Sequence, residues 1–247
     1  MKRKLPLLLI TVFLILSSFS DKQSTKVWFK SDDGQGFISI EKIKKTGADS
    51  QAIIKTTVKA NFDNEKLDFS LSTFCDTDKM VNASKIMFDG TIDSNMDPVK
   101  FVGTRIKQKK NAAFWDFQGD FKNELGPDEE ANHFISSKHS STIRIPARTI
   151  PSFNVWAIVS ELPFDKKGTF KFNLLDETKL YVKRNQTINY LGKHDEDVNG
   201  EKTLLHKFVH QGDKVKPAYY WVNDDRELIK ILLDGKFTFT KSSKSEI

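Results

Sequence analysis

The sequence predicts a mainly β fold, a curved antiparallel sheet or half-barrel with one buried helix near residues 152–161. Three observations carry this. Apolar and polar side chains alternate with a period of two through much of the chain. Asn-Gly and Asp-Gly dipeptides separate several of the alternating runs. One segment, Ser152 to Glu161, switches to helical spacing. Successive side chains of a strand point to opposite faces, so alternation is the pattern a sheet with one wet face requires.

The runs are explicit. Ile54, Thr56, Val58, Ala60 and Phe62 alternate with Lys55, Thr57, Lys59 and Asn61. Leu67, Phe69 and Leu71 alternate with Asp68, Ser70 and Ser72, and Ile86, Phe88, Gly90 and Ile92 with Met87, Asp89 and Thr91. Trp115, Phe117, Gly119 and Phe121 alternate with Asp116, Gln118 and Asp120, and Phe170, Phe172 and Leu174 with Lys171 and Asn173. Asn199-Gly200 and Asp234-Gly235 tolerate the positive φ of a type I′ turn and predict hairpins before Thr203–Val209 and before Lys236–Thr240. Asn223-Asp224-Asp225 turns Tyr219–Val222 into Glu227–Leu233, so the last third reads as a meander of four or five strands.

The exception lies between Pro151 and Pro163. Val155, Ile158, Val159 and Leu162 fall at i, i+3, i+4 and i+7, one helix face, and Phe153, Trp156 and Ala157 cover much of the rest. A helix apolar nearly all round belongs inside, and the concave side of a curved sheet is the simplest place for it. The acidic, turn-rich stretch Gly126–Glu130 marks a long loop or a sub-domain boundary near 123–132 in a domain spanning 21–247.

Residues 1–20 follow the grammar of a secretory signal peptide. Met1-Lys2-Arg3-Lys4 is basic, Leu5 to Leu16 is apolar apart from Pro6 and Thr11, and Ser18 and Ser20 flank Phe19. The apolar run is shorter than the ~20 residues that span a bilayer. These features predict a secreted or periplasmic protein with no transmembrane segment once the leader is removed. An uncleaved anchor is the other reading. Without Lys2, Arg3 and Lys4 the formal charge of +6 falls to 36 basic against 33 acidic side chains. Acids and bases are interspersed, so no nucleic-acid partner is expected. A single cysteine, Cys75, excludes an internal disulfide and a thiolate zinc site and suits a small buried apolar residue.

Catalytic chemistry finds no foothold. His206 and His210 on one strand face would stand roughly 13 Å apart, too far for one metal. The five histidines read as surface groups, and most of the carboxylate pairs lie in predicted turns. Gly34-Gln35-Gly36 lacks the rest of a dinucleotide fingerprint. No catalytic residue, metal or cofactor is expected. The aromatic residues stand out instead: twenty Phe against four Tyr and four Trp. Phe carries no polar handle and suits dry interiors and apolar pockets. Trp115, Phe117, Phe153, Trp156 and Trp221 are the candidate ligand-binding residues, with a groove between helix and sheet lined by Phe153, Trp156 and Trp221. Ordinary core packing is the other reading of the same residues.

A resemblance enters from about Pro146 to Thr240. Ile150-Pro151 precedes the apolar helix, and Leu162-Pro163 is followed by a strand led by Gly168. Tyr190-Leu191-Gly192 precedes an acidic stretch, and Tyr220-Trp221-Val222-Asn223-Asp224-Asp225 turns into Leu228-Ile229-Lys230-Ile231. In these features the chain resembles a group of exported bacterial domains of unknown function, similar in expected shape to the half-barrel lipid carriers of lipoprotein localisation. The resemblance implies the β-rich fold and an envelope location without catalytic residues, and an apolar small molecule or lipid as ligand follows by analogy alone. An interaction module for another envelope protein is the alternative, and a hydrolase with a loop-borne site a third reading.

Overall fold

The computed structural model describes residues 22–45, 50–62, 65–76, 82–92, 98–120, 133–137, 140–164, 168–177 and 180–246. The leader at 1–20, the acidic loop at 126–130 and His139 lie outside them. The alternating runs become strands in chain order. They are β1 (Lys22–Ser31), β2 (Phe37–Lys45), β3 (Gln51–Phe62), β4 (Glu65–Cys75), β5 (Ala83–Ile92), β6 (Pro98–Gln108) and β7 (Ala112–Asp120). After these come β8 (His133–Ser137), β9 (Ser140–Pro146) and the short β10 (Thr149–Pro151). The last part adds β11 (Thr169–Asp176), β12 (Tyr181–Val198), β13 (Glu201–Gln211), β14 (Ala218–Val222), β15 (Leu228–Leu233) and β16 (Phe237–Ser242).

Among the described residues all sixteen lie in one sheet, ordered β10-β11-β12-β13-β14-β15-β16-β1-β2-β3-β4-β5-β6-β7-β9-β8. Every neighbouring pair is antiparallel except β10 with β11. Two joins turn the sheet into a nearly closed barrel. The first strand pairs with the last, Trp28–Ser31 against Phe239–Ser242. The chain from β9 into β10 leaves β7 and crosses to β11: the Ala147 N–H donates to the Asn111 carbonyl, and the Asn173 N–H to the Arg148 carbonyl. A wall that curves this far leaves few open edges.

One face of the wall is dry. Phe29 stands opposite Ile38, Ile38 opposite Val58, and Val58 opposite Phe69. Leu71, Phe88 and Phe101 continue the inner surface, and Phe208, Tyr220, Ile231 and Phe239 complete it on the far side. Phe117 fits because its cross-strand partner is Gly103, where a β-carbon would lie 2.4 Å from the ring.

The predicted helix is a helical run of mixed pitch: a 3-10 turn at Ser152–Asn154, the α-turn α1 (Val155–Ile158) and a 3-10 turn at Val159–Glu161. The run enters the barrel as a plug, with Val155 through Ser160 all buried. Buried polar bonds tie it to the wall. The Thr73 hydroxyl donates to the Asn154 side-chain oxygen at 3.1 Å, and the Ser152 hydroxyl donates to the Glu177 carboxyl. No helix among the described residues is long and apolar enough to cross a membrane.

Two expectations are corrected. His206 and His210 are interior, not surface, residues: they share the inner face of β13 with Phe208 and are almost fully buried. The Asp234-Gly235 hairpin has a three-residue loop, because Leu233 pairs with Phe237. The acidic stretch after Tyr190-Leu191-Gly192 is strand. It forms the outer half of β12, which hydrogen-bonds β13 down to the Asn199-Gly200 turn.

Candidate functional site

The structure brings four of the five aromatic candidates together. Their ring centroids form one chain through the interior. Trp115 stacks on Phe117 at 6.0 Å, Phe117 meets Phe101 at 5.8 Å, and Phe101 stacks on Phe88 at 5.3 Å. Phe88 then stacks on Phe69 at 4.9 Å, Phe69 meets Phe153 of the plug at 4.6 Å, and Phe153 meets Trp156 at 5.3 Å. These rings fill the space between plug and wall on that side, as close-packed interiors do.

Trp221 stands elsewhere. Tyr220 and Val222 face inward, so Trp221, between them on β14, points outward. It is 2% exposed all the same, flanked by the ammonium groups of Lys207 and Lys230 at 4.9 and 5.5 Å. The groove expected between Phe153, Trp156 and Trp221 therefore does not exist as drawn. Trp221 and the plug are separated by the thickness of the sheet.

An open cleft remains at the other end of the plug. Beyond Trp28, the strand ladder gives Lys22–Val27 partners on β2 only, so the join between β1 and β16 is unzipped over six residues. The turn between β14 and β15 faces this seam. The resulting cleft is about 360 Å³, with Val27, Ile40, Trp156 and Leu228 as its apolar surfaces and Gln23 and Thr25 on one rim. Asp225, Arg226 and Glu227 lie on the opposite rim, and Lys42, Lys44, Ser160 and Glu161 complete the lining. Of the aromatic candidates only Trp156 lines this cleft, while Trp115 lines a separate opening of about 60 Å³ near Arg105 and Arg148.

Strand register places the lysines. Ile38, Ile40, Lys42 and Lys44 share the inward face of β2, so the stripe that is apolar in the interior turns cationic at the mouth. The Lys42 ammonium donates to the Ser160 hydroxyl at 2.6 Å. Burial holds it below the usual lysine range, partly offset by the Glu161 carboxylate 3.5 Å away. Lys44 reaches the same Glu161 oxygen at 3.6 Å. Across the seam, Arg226 donates to the Leu162 carbonyl at 3.0 Å and lies over the Phe164 ring at 4.5 Å. Phe164 in turn stacks on His206 at 3.8 Å, which holds the exit of the plug in place.

Ser160 and Lys42 are not arranged as an accessible nucleophile and base. Ser160 is 1% exposed, donates its own proton to the Ala157 carbonyl at 3.2 Å, and accepts from Lys42. Tyr190, His206 and Asp224 form a hydrogen-bonded row, with both contacts at 2.8 Å, but Phe164 covers the imidazole face. Among the described residues no group of three or more His, Cys, Asp or Glu side chains could hold a metal. Cys75 is buried, and burial pushes its thiol up to about 12, which suits an inert core residue.

Reading the sequence missed Lys42, Lys44, Glu161, Arg226 and the seam itself. A signal existed for the lysines: extending the Ile38–Ile40 alternation by two steps puts both of them inside.

No protein-family model and no curated protein matches the chain. A search of solved structures finds the crystal structure of a beta-barrel-like protein of domain of unknown function DUF1849 from Brucella abortus. It is 9% identical, with a TM-score of 0.49 over 90% of this chain and 95% of that one. At that identity no residue role carries across, and the barrel description here rests on the strand pairing.

Proposed function

We propose that the protein is a non-enzymatic binding protein of the cell envelope that takes an apolar, lipid-like molecule into the seam cleft. The observation that carries this reading is the unzipped wall. Where Lys22–Val27 lose their partner on β16, a cleft of about 360 Å³ opens over Trp156. That volume falls within the range of small-molecule sites, which are concave and mostly apolar with a few placed polar groups. A buried methylene is worth about 0.8 kcal/mol, so ten of them give roughly 8 kcal/mol before the costs of association. Export goes with this reading through the basic, apolar, small-residue order of positions 1–20. So does the resemblance of 146–240 to exported bacterial domains of unknown function.

Titration with the neutral fluorophore N-phenylnaphthylamine tests the reading. Saturable binding is expected, weakened at least about tenfold (about 1.4 kcal/mol) by Val27→Arg, which fills the cleft from β1 without emptying the core. A folded protein that binds no probe overturns the proposal. The free backbone edge of Lys22–Val27 favours one other reading, addition of a strand from a second envelope protein. Lys26 weighs against it, because exposed charged side chains are a common means of blunting an edge.

A further inference from the structure

Resting on that reading, we infer that the ligand is a carboxylate-headed amphiphile, whose head group takes the place of Glu161 between Lys42 and Lys44. The cleft is graded. Val27, Ile40, Trp156 and Leu228 offer apolar surface, and on the inward face of β2 the two lysines follow Ile40 toward the mouth. Their side chains are 18% and 35% exposed, open enough to be reached and closed enough for a charge to matter.

The site already holds a carboxylate, and holds it loosely. One oxygen of Glu161 is shared by both ammonium groups at 3.5 and 3.6 Å, whereas a charge-assisted contact closes to about 2.7–2.9 Å. The Glu161 side chain is 44% exposed and sits on the last turn of the plug, so it can swing to solvent. Asp225 lies on the far rim, and two other charges of the cleft are engaged elsewhere. Arg226 is bound to carbonyls of the plug exit and to Phe164, and Glu227 to Lys241 at 2.8 Å. With Glu161 turned out to solvent, a ligand carboxylate meets both ammonium groups in its place. Ser160 fixes the Lys42 amine from the protein side with a 2.6 Å bond and leaves its remaining protons for a ligand. Burial disfavours a bare ammonium at Lys42, which adds to the gain from a well-seated anion.

The test is competition against N-phenylnaphthylamine by myristic acid, methyl myristate and myristyl alcohol. It uses the unaltered protein and the Lys42→Met, Lys44→Met and Glu161→Gln variants. The acid should outcompete the ester and the alcohol by about tenfold on the unaltered protein. Either lysine variant should reduce that preference. Lys44→Met serves if Lys42→Met fails to fold. Glu161→Gln should tighten the acid several-fold and leave the alcohol unchanged, a gain that misfolding cannot produce. Equal competition by all three compounds overturns the head-group assignment while the cleft still binds. Acid binding weakened by Glu161→Gln also overturns it. Failure of the fluorophore itself to bind removes the cleft reading beneath it.

Discussion

Glu177 is the most strained ionisable side chain among the described residues. It follows the end of β11 and is buried, and burial pushes its carboxyl up to about 8 against the opposing hydrogen bond from Ser152. Its second oxygen has no partner among the described residues. At neutral pH the group is therefore protonated, and its stabilising contribution has a definite sign. Folded, it holds its proton to about 8, whereas an ordinary glutamate releases it near 4.5. Stability from this residue is complete below about 4.5 and is lost as the pH rises through 8, with a ceiling of roughly 5 kcal/mol. Glu177→Gln keeps the acceptor for Ser152 and cannot ionise. Urea denaturation should show a flatter stability profile between pH 5 and about 8.5 for the variant than for the unaltered protein; parallel profiles would mean the carboxyl is wet. None of this was legible in the sequence, where Glu177 follows Asp176 and reads as one more turn acid. The Cys75 assignment was legible, because a lone thiol in a strand of alternating Phe and Leu has little else to be.

At the scale of elements, alternation recovered strands such as β3 and β4, where one face is wet and the other dry. It missed the outer half of β12, Tyr190 to Val198, because that stretch has no apolar face to alternate. Its partners are the backbone of β13 and charged groups: Lys230 donates to Glu196 at 2.7 Å and to the Asp197 carbonyl at 3.2 Å, and Lys193 meets Asp224 at 2.7 Å. These contacts bring the hairpin tip against the outer side of β15. They explain how an outward-facing tryptophan, Trp221, can be buried with Leu205 close by in the same layer. Trp221→Ala should cost about 3–5 kcal/mol, the range for emptying a buried aromatic site. A shift in the denaturation midpoint measures it. An unchanged midpoint would place the indole in solvent and the hairpin off the barrel. The plug was legible from its i, i+3, i+4, i+7 spacing, but its mixed pitch was not. With prolines on both sides and ten residues to span, only its middle turn closes as α-helix.

The whole molecule is a wall of strands around an aromatic filling, and the break in pairing between β1 and β16 coincides with the end of the plug. The excess of Phe foretold a dry interior. It did not foretell how much of that interior the chain's own rings would occupy, because a Phe that lines a pocket and a Phe that fills it look the same in one dimension. Closure was hidden for a similar reason: pairing β1 with β16 joins residues more than two hundred positions apart, and no local pattern encodes it. The seam follows from that pairing being four residues long on a ten-residue strand. Its use as a binding site is the claim everything else leads to. Native mass spectrometry of the full chain, isolated from the cells that make it, tests that claim most directly. A bound species with the mass of a single long-chain carboxylate-headed lipid is expected, depleted in the Val27→Arg variant. A bare polypeptide mass in both proteins would contradict it.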